Sequence, residues 1–193
     1  MTQALDAGHT VTVVARRPDR LEARHPRLSV VAADLAADPD AVDRALAGHD
    51  VVVSALGRGE SFRSQGLMAR ATPGIVSAME LQAVRRLVFL SAFGVGRTAS
   101  QAPWVARLMF RLLLADIYAD KAAAETLLTR STLEWTILAP VMLTDRPATG
   151  RYRLEEHVAL HGLPRIARAD VAAAVLRCLD DPTSIHKRYV VAP

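Results

Sequence analysis

At 193 residues, 51% of them hydrophobic, the chain is long enough to bury one real core, and it reads as a single domain over 1–193. The net charge of +4 and pI near 9.8 come from scattered arginines, not from a basic block interleaved with aromatics, which argues against a nucleic-acid partner and suits a cleft for a phosphorylated ligand. No run reaches the ~18 apolar residues of a membrane span, residues 1–8 lack the basic and apolar regions of a secretory signal, and the lone Cys178 excludes an internal disulfide and points to a reducing, cytoplasmic compartment.

Residues 1–8 read as the end of a helix closed by Gly8 at C′. Thr10–Ala15 is apolar and β-branched, a buried parallel strand, and it runs into Arg16 and Arg17. In a dinucleotide fold that strand end meets the adenosine ribose, where arginine favours the 2′-phosphate of NADP over the 2′-hydroxyl of NAD. The next strand, Leu28–Ala32, leads to Asp34 and Leu35, placed to meet the adenine edge. Asp38-Pro39 starts a helix over Asp40–Ala47 as N-cap and N1. Strand Asp50–Ala55 ends in Ser54-Ala55-Leu56-Gly57, small enough for a ligand to approach the backbone closely.

A helix over Gly66–Ala83 precedes the strand Arg86–Ser91 and the turn Ser91-Ala92-Phe93-Gly94-Val95-Gly96. The Ser91 hydroxyl is placed to hydrogen-bond a substrate or a nicotinamide carboxamide. Trp104–Arg130 is helical, as one helix or two; its apolar start, carrying Arg107 and Arg111, reads as a lid or packing helix ahead of a membrane-surface one. Strand Trp135–Ala139 is ended by Pro140, leaving the backbone of Val141, Met142 and Leu143 free to meet a nicotinamide ring. Helix Asp170–Leu179 and strand Tyr189–Ala192 close the chain. Strands alternating with helices predict an α/β, doubly wound, Rossmann-like parallel sheet covered on both faces.

The start is anomalous. A doubly wound sheet of order 3-2-1-4-5-6 has strand 1 at its centre, followed by a glycine-rich turn. Here Thr10–Ala15 reads as the second strand, so the expected sheet is N-terminally truncated, with the central strand and turn missing and a gap one strand wide. Either the start lies inside a longer reading frame, the favoured account, or another chain fills the gap by exchange. An unfilled central position favours association into homo-oligomers.

The segments Leu90-Ser-Ala-Phe-Gly94, Asp120-Lys121-Ala-Ala-Ala-Glu125 through Ser131, Leu133 to Pro140, Thr149-Gly150-Arg-Tyr152 and Ile166 to Ala172, in this order, resemble the atypical short-chain dehydrogenase/reductases. The group resembled is the NAD(P)H-binding one that includes biliverdin reductase B (flavin reductase) and the NmrA-like proteins, and the resemblance runs from Thr2 onward. It implies an NADPH-dependent reductase or a cofactor-sensing regulator. Two features depart from the pattern. The glycine-rich pyrophosphate turn is absent, and with it the helix N-terminus that binds the phosphates. The Tyr–Lys pair of ordinary members needs a four-residue spacing, but Ile117 stands four before Lys121 and Tyr118 only three. Lys121 is kept as a contact to the cofactor ribose or phosphate, and Tyr118 is not taken as a proton donor.

Other patterns carry less. His157 and His161, near Glu155 and Glu156, lack a third metal ligand and sit in strand and loop, so no metal is expected; either is a candidate for the substrate pocket. Ser91 lacks the Gly-x-Ser-x-Gly context of a hydrolase. The leading reading is therefore an NADP(H)-dependent oxidoreductase passing hydride to a small planar acceptor such as a flavin or quinone, with Ser91 catalytic and protonation from solvent. The alternatives are a non-catalytic NmrA-like NADP sensor and an incomplete chain with impaired cofactor binding.

Overall fold

The computed structural model describes residues 1–38, 40–57, 63–101, 112, 114–160 and 162–193. Pro39 of the expected helix start, residues 104–111 with Arg107 and Arg111, and His161 lie outside them.

Helix α1 (Thr2–Asp6) ends as its sequence predicts. Gly8 takes φ 98°, and its N–H and that of His9 reach back to the Leu5 and Ala4 carbonyls, a Schellman turn that a side chain at Gly8 would strain. Strands β1 (Val11–Ala15) and β2 (Leu28–Ala32) pair in parallel, Val11 opposite Leu28. After α2 (Asp40–Leu46), strand β3 (Val51–Ser54) opens a second sheet. This sheet continues through β4 (Arg86–Leu90), β5 (Glu134–Pro140), β9 (Lys187–Ala192) and β7 (Arg153–Glu155), in the order β3-β4-β5-β9-β7. Only β7 is antiparallel. The short strands β6 (Met142–Thr144) and β8 (Arg165–Ala167) pair separately.

Successive residues of the central strands point to opposite faces. Leu87, Phe89 and Ile137 pack on one face with α2, α3 (Leu67–Leu81) and α4 (Ala115–Leu128). Val88, Leu138 and Val190 pack on the other with α5 (Arg168–Asp180). The mostly parallel sheet is thus wound on both sides, as expected. Among the described residues no pairing joins β1 to β3, the position at which a central strand was expected to be missing. Val51 and Val53 beside that edge stay 38% and 42% exposed, unusual for valines in a parallel sheet.

One expectation is corrected. Pro140 is the last residue of its strand, as expected, yet it still takes part in the ladder: it pairs with Val191, and its carbonyl accepts the Phe93 N–H at 2.9 Å. Proline is tolerated because it closes the strand's C-terminal end, where it donates no ladder bond but still accepts one. The backbone after it is not free: the Val141 N–H donates to the Val191 carbonyl at 3.1 Å, and Met142–Thr144 pairs with β8.

The start of α3 is held from another helix. Asp120 on α4 is buried, and its carboxylate accepts the N–H groups of Met68 at 3.0 Å and Ala69 at 2.8 Å. A carboxylate at the positive end of a helix satisfies donors that have no intrahelical partner. Asp120→Ala is expected to cost about 2–3 kcal/mol, because two helix-start donors lose their acceptor. Calorimetry should show a melting temperature lower by roughly 4–10 °C, with Asp120→Asn in between.

Candidate functional site

The C-terminal ends of β1, β2 and β3 surround a cavity of about 180 Å3. Six residues singled out in the sequence line it: Arg16, Asp34, Leu35, Ala55, Leu56 and Gly57. They converge because parallel strands all deliver their following loops to the same edge of the sheet. Arg17 and Ser54 do not line it; Arg17 instead opens the 3-10 turn Pro18–Arg20.

The arrangement fits the adenosine end of a phosphorylated dinucleotide. Arg16 is exposed and makes no hydrogen bond or ion pair among the described residues. Asp34 accepts the Ala36 N–H through Oδ1 at 3.1 Å, and among the described residues Oδ2 has no hydrogen-bond partner. The Ser54 hydroxyl is buried without a partner among the described residues, a polar group that a neighbouring ligand would satisfy. A side chain at Gly57 would meet none of the described residues within 4 Å. The pyrophosphate is provided for less well: the first N–H groups of α3 are already spent on Asp120.

At the end of β4 lies a buried polar cluster. The Ser91 hydroxyl donates to Oε1 of Glu125, and Glu125 Oε2 lies 2.8 Å from a guanidinium nitrogen of Arg188 on β9. That second contact is ionic without hydrogen-bond alignment, and Arg188 Nε is buried with no acceptor among the described residues. A hydroxyl carries one proton, so Ser91 offers only lone pairs to any further group. One helical turn before Glu125, Lys121 donates to the Leu90 carbonyl at 3.3 Å. Burial pushes the Glu125 carboxyl up, while Ser91, Arg188 and Lys121 pull it back. Burial pulls the Lys121 ammonium down, against Glu125 and Asp120.

The sequence placed Ser91 and Lys121 here but did not foresee Glu125 or Arg188. Their signal was faint: the i,i+4 spacing of Lys121 and Glu125 puts both on one helix face. Tyr118 donates its hydroxyl to the Phe93 carbonyl at 3.0 Å, and burial raises its pKa to about 12. Both facts suit a clamp on the turn after β4 better than a proton donor.

Of the remaining candidates, Ala92 is half-buried at the β4 end, while Phe93 and Val141 are in the core, 7% and 6% exposed. Met142 and Leu143 are open, at 46% and 37%. His157 lines a second cavity of about 380 Å3 with Arg97, Gln101, Glu156 and Arg188. The two segments Thr149-Gly150 and Ile166–Ala172 meet through Asp170. Burial alone would raise its carboxyl, but the N–H groups of Thr149 and Gly150 and the Thr149 hydroxyl hold it below the usual range. Among the described residues no helix is long and apolar enough to cross a membrane.

The chain is similar to known proteins over most of its length. A family model described as NAD(P)H-binding matches residues 1–182. The UPF0659 protein C216.03 of Schizosaccharomyces pombe is 29% identical over 200 residues, covering 95% of this chain and 79% of that protein. A short-chain dehydrogenase/reductase (wide type) from Veillonella parvula, solved in complex with NADP, superposes with a TM-score of 0.80 at 22% identity, over 100% of this chain and 87% of its own. ChuY, an anaerobillin reductase from Escherichia coli O157:H7, superposes at 0.78 with 23% identity, over 99% and 88%. At such identities the likeness shows the fold, a Rossmann-like one.

Proposed function

The chain belongs to the NAD(P)H-binding family, and from that premise we propose that it is an NADPH-dependent oxidoreductase of a small planar acceptor such as a flavin or quinone. The observation that carries this reading is the cavity in which Arg16, Asp34, Leu35 and Ala55–Gly57 converge at three strand ends. Arg16 binds the 2′-phosphate, with Arg17 beside it. Asp34 and Leu35 border the adenine, and Ser54 to Gly57 lie along the cofactor as it crosses β3. The nicotinamide half continues past Ser91, Ala92 and Phe93 to the segment Pro140–Leu143, and Lys121 meets its ribose or phosphate. The NADP bound in the Veillonella structure and the reductase ChuY support the same direction.

Bound NADPH supplies hydride, and an acceptor of this kind takes its proton from solvent. Ser91, its own proton given to Glu125, accepts an N–H such as that of the carboxamide and fixes the ring. Ser91→Ala is expected to lower turnover by roughly tenfold while NADPH affinity changes little; unaltered turnover would remove Ser91 from the reaction. A second reading, a non-catalytic NADP-binding regulator, is favoured by the Tyr118 hydroxyl being spent on a backbone carbonyl. Titration with NADPH, followed by cofactor fluorescence with NADH as control, tests both. Binding with oxidation on adding flavin or quinone supports the reductase, binding without oxidation by any acceptor supports the regulator, and no binding sinks both.

A further inference from the structure

We propose that Glu125 is a positioning residue for the nicotinamide end of the crevice: one carboxylate holds the Ser91 hydroxyl and the Arg188 guanidinium, and its charge anchors the Lys121 ammonium. The inference rests on the reading that the cofactor passes the end of β4.

Four elements build the device. From β4's end comes Ser91, bound to Oε1. From β9 comes Arg188, 2.8 Å from Oε2. From α4 itself comes Lys121, whose other facing groups are the Leu90 carbonyl and Asp120. From the turn after β4 comes Gly96, at φ 54°, where a Cβ would stand 2.6 Å from Glu125 Oε2. The glycine leaves the room that the carboxylate fills. Glu125 is only 3% exposed, so its charge acts through a medium that screens it weakly. A buried carboxylate serving only as filler would need none of these partners; this one holds a hydroxyl and a guanidinium, one helical turn from the Lys121 ammonium, at the strand end that the proposed cofactor path passes.

The sign of the effect follows from charge. Lys121 binds an anionic or hydroxylated cofactor group best as an ammonium, so affinity falls as pH rises through its pKa. Removing the Glu125 charge lets burial act on Lys121 with less opposition, and the fall begins at lower pH. Lys121 and Lys187 are the only lysines of the chain, so reductive 13C-methylation of the whole protein gives one resonance for each. Lys187 is an internal control, exposed and raised by Glu156.

The experiment compares the parent with Glu125→Gln, Gly96→Ala and the double variant Glu125→Gln/Arg188→Gln, reading both lysine titrations by NMR and the NADPH affinity from pH 7 to pH 10. The double variant avoids an unpaired buried cation, so it stays folded if the single variant does not. The expected result is a Lys121 midpoint moved to lower pH in both glutamine variants while Lys187 stays, with NADPH binding weakened roughly fivefold more at pH 9 than at pH 7 in these two. Gly96→Ala disturbs the carboxylate's fit and is expected to weaken NADPH binding at both pH values. A Lys121 midpoint unchanged in both glutamine variants overturns the proposal, as does a pH profile of NADPH affinity that matches the parent's. If the parent binds no NADPH, the cofactor reading fails, and the lysine titrations still decide whether Glu125 anchors Lys121.

Discussion

Replacing Arg86 by methionine is expected to lower the melting temperature by roughly 10 °C, the largest stability loss of the substitutions considered. Arg86 stands at the start of β4, only 8% exposed, and faces no carboxylate at hydrogen-bond distance among the described residues. Its guanidinium donates to the Glu134 carbonyl at 2.7 Å, to the Ser184 hydroxyl at 2.8 Å and to the Cys178 carbonyl. It therefore ties β4 to β5, to the end of α5 and to the turn before β9. Ser184 passes the network on to Thr136, both 0% exposed. Methionine retains the apolar stem but orphans several buried acceptors, each costing about 1–3 kcal/mol. Relief from burying a cation offsets part of this, leaving a net loss of about 3 kcal/mol. Arg86→Lys is expected to recover little, because an ammonium lacks the planar fork that reaches two elements at once. Thermal denaturation of the three proteins at one pH checks the order; a methionine variant that melts with the parent would show the network to be energetically idle.

Replacing Arg16 by alanine is expected to weaken NADPH binding about 10–100-fold and leave NADH binding nearly unchanged. The arginine is exposed at the mouth of the strand-end cavity and makes no hydrogen bond or ion pair among the described residues, so no internal contact is lost with it. A charge-assisted hydrogen bond to phosphate contributes about 1.5–3 kcal/mol, and NADH has no 2′-phosphate to make it. Arg17→Ala is expected to have a smaller effect, since Arg17 does not line the cavity. Isothermal titration with both cofactors reads the selectivity ratio directly. Equal weakening of NADPH and NADH would assign Arg16 to another part of the cofactor, and no change in either would remove it from the site.

The main strands were legible because parallel strands buried on both faces read as apolar, β-branched runs. Leu28–Ala32 was read to the residue, and Val11–Ala15, Val51–Ser54 and Arg86–Leu90 within one residue at either end. The three-residue strands β6 and β8 were not, because so short a run has no measurable period.

At the site the division is of the same kind. Arg16, Asp34, Leu35 and Ala55–Gly57 follow strand ends, and the topology of an open α/β sheet brings strand ends together whatever their separation along the chain. Chain order and residue type were enough to place these six at the cavity, while Arg17 and Ser54, chosen on the same grounds, do not line it. The partners of Asp120, Glu125 and Arg86 were beyond reach. Asp120 caps a helix starting 53 residues earlier, Ser91 and Glu125 are 34 apart, and Arg86 reaches a carbonyl 92 residues on. By itself the sequence determined which runs become strands and which residues end at the crevice, because both depend on local pattern and on a fixed topology. Only the tertiary structure decided which buried charges share a partner, because that depends on packing between helix and sheet at ångström distances, which no spacing along the chain encodes.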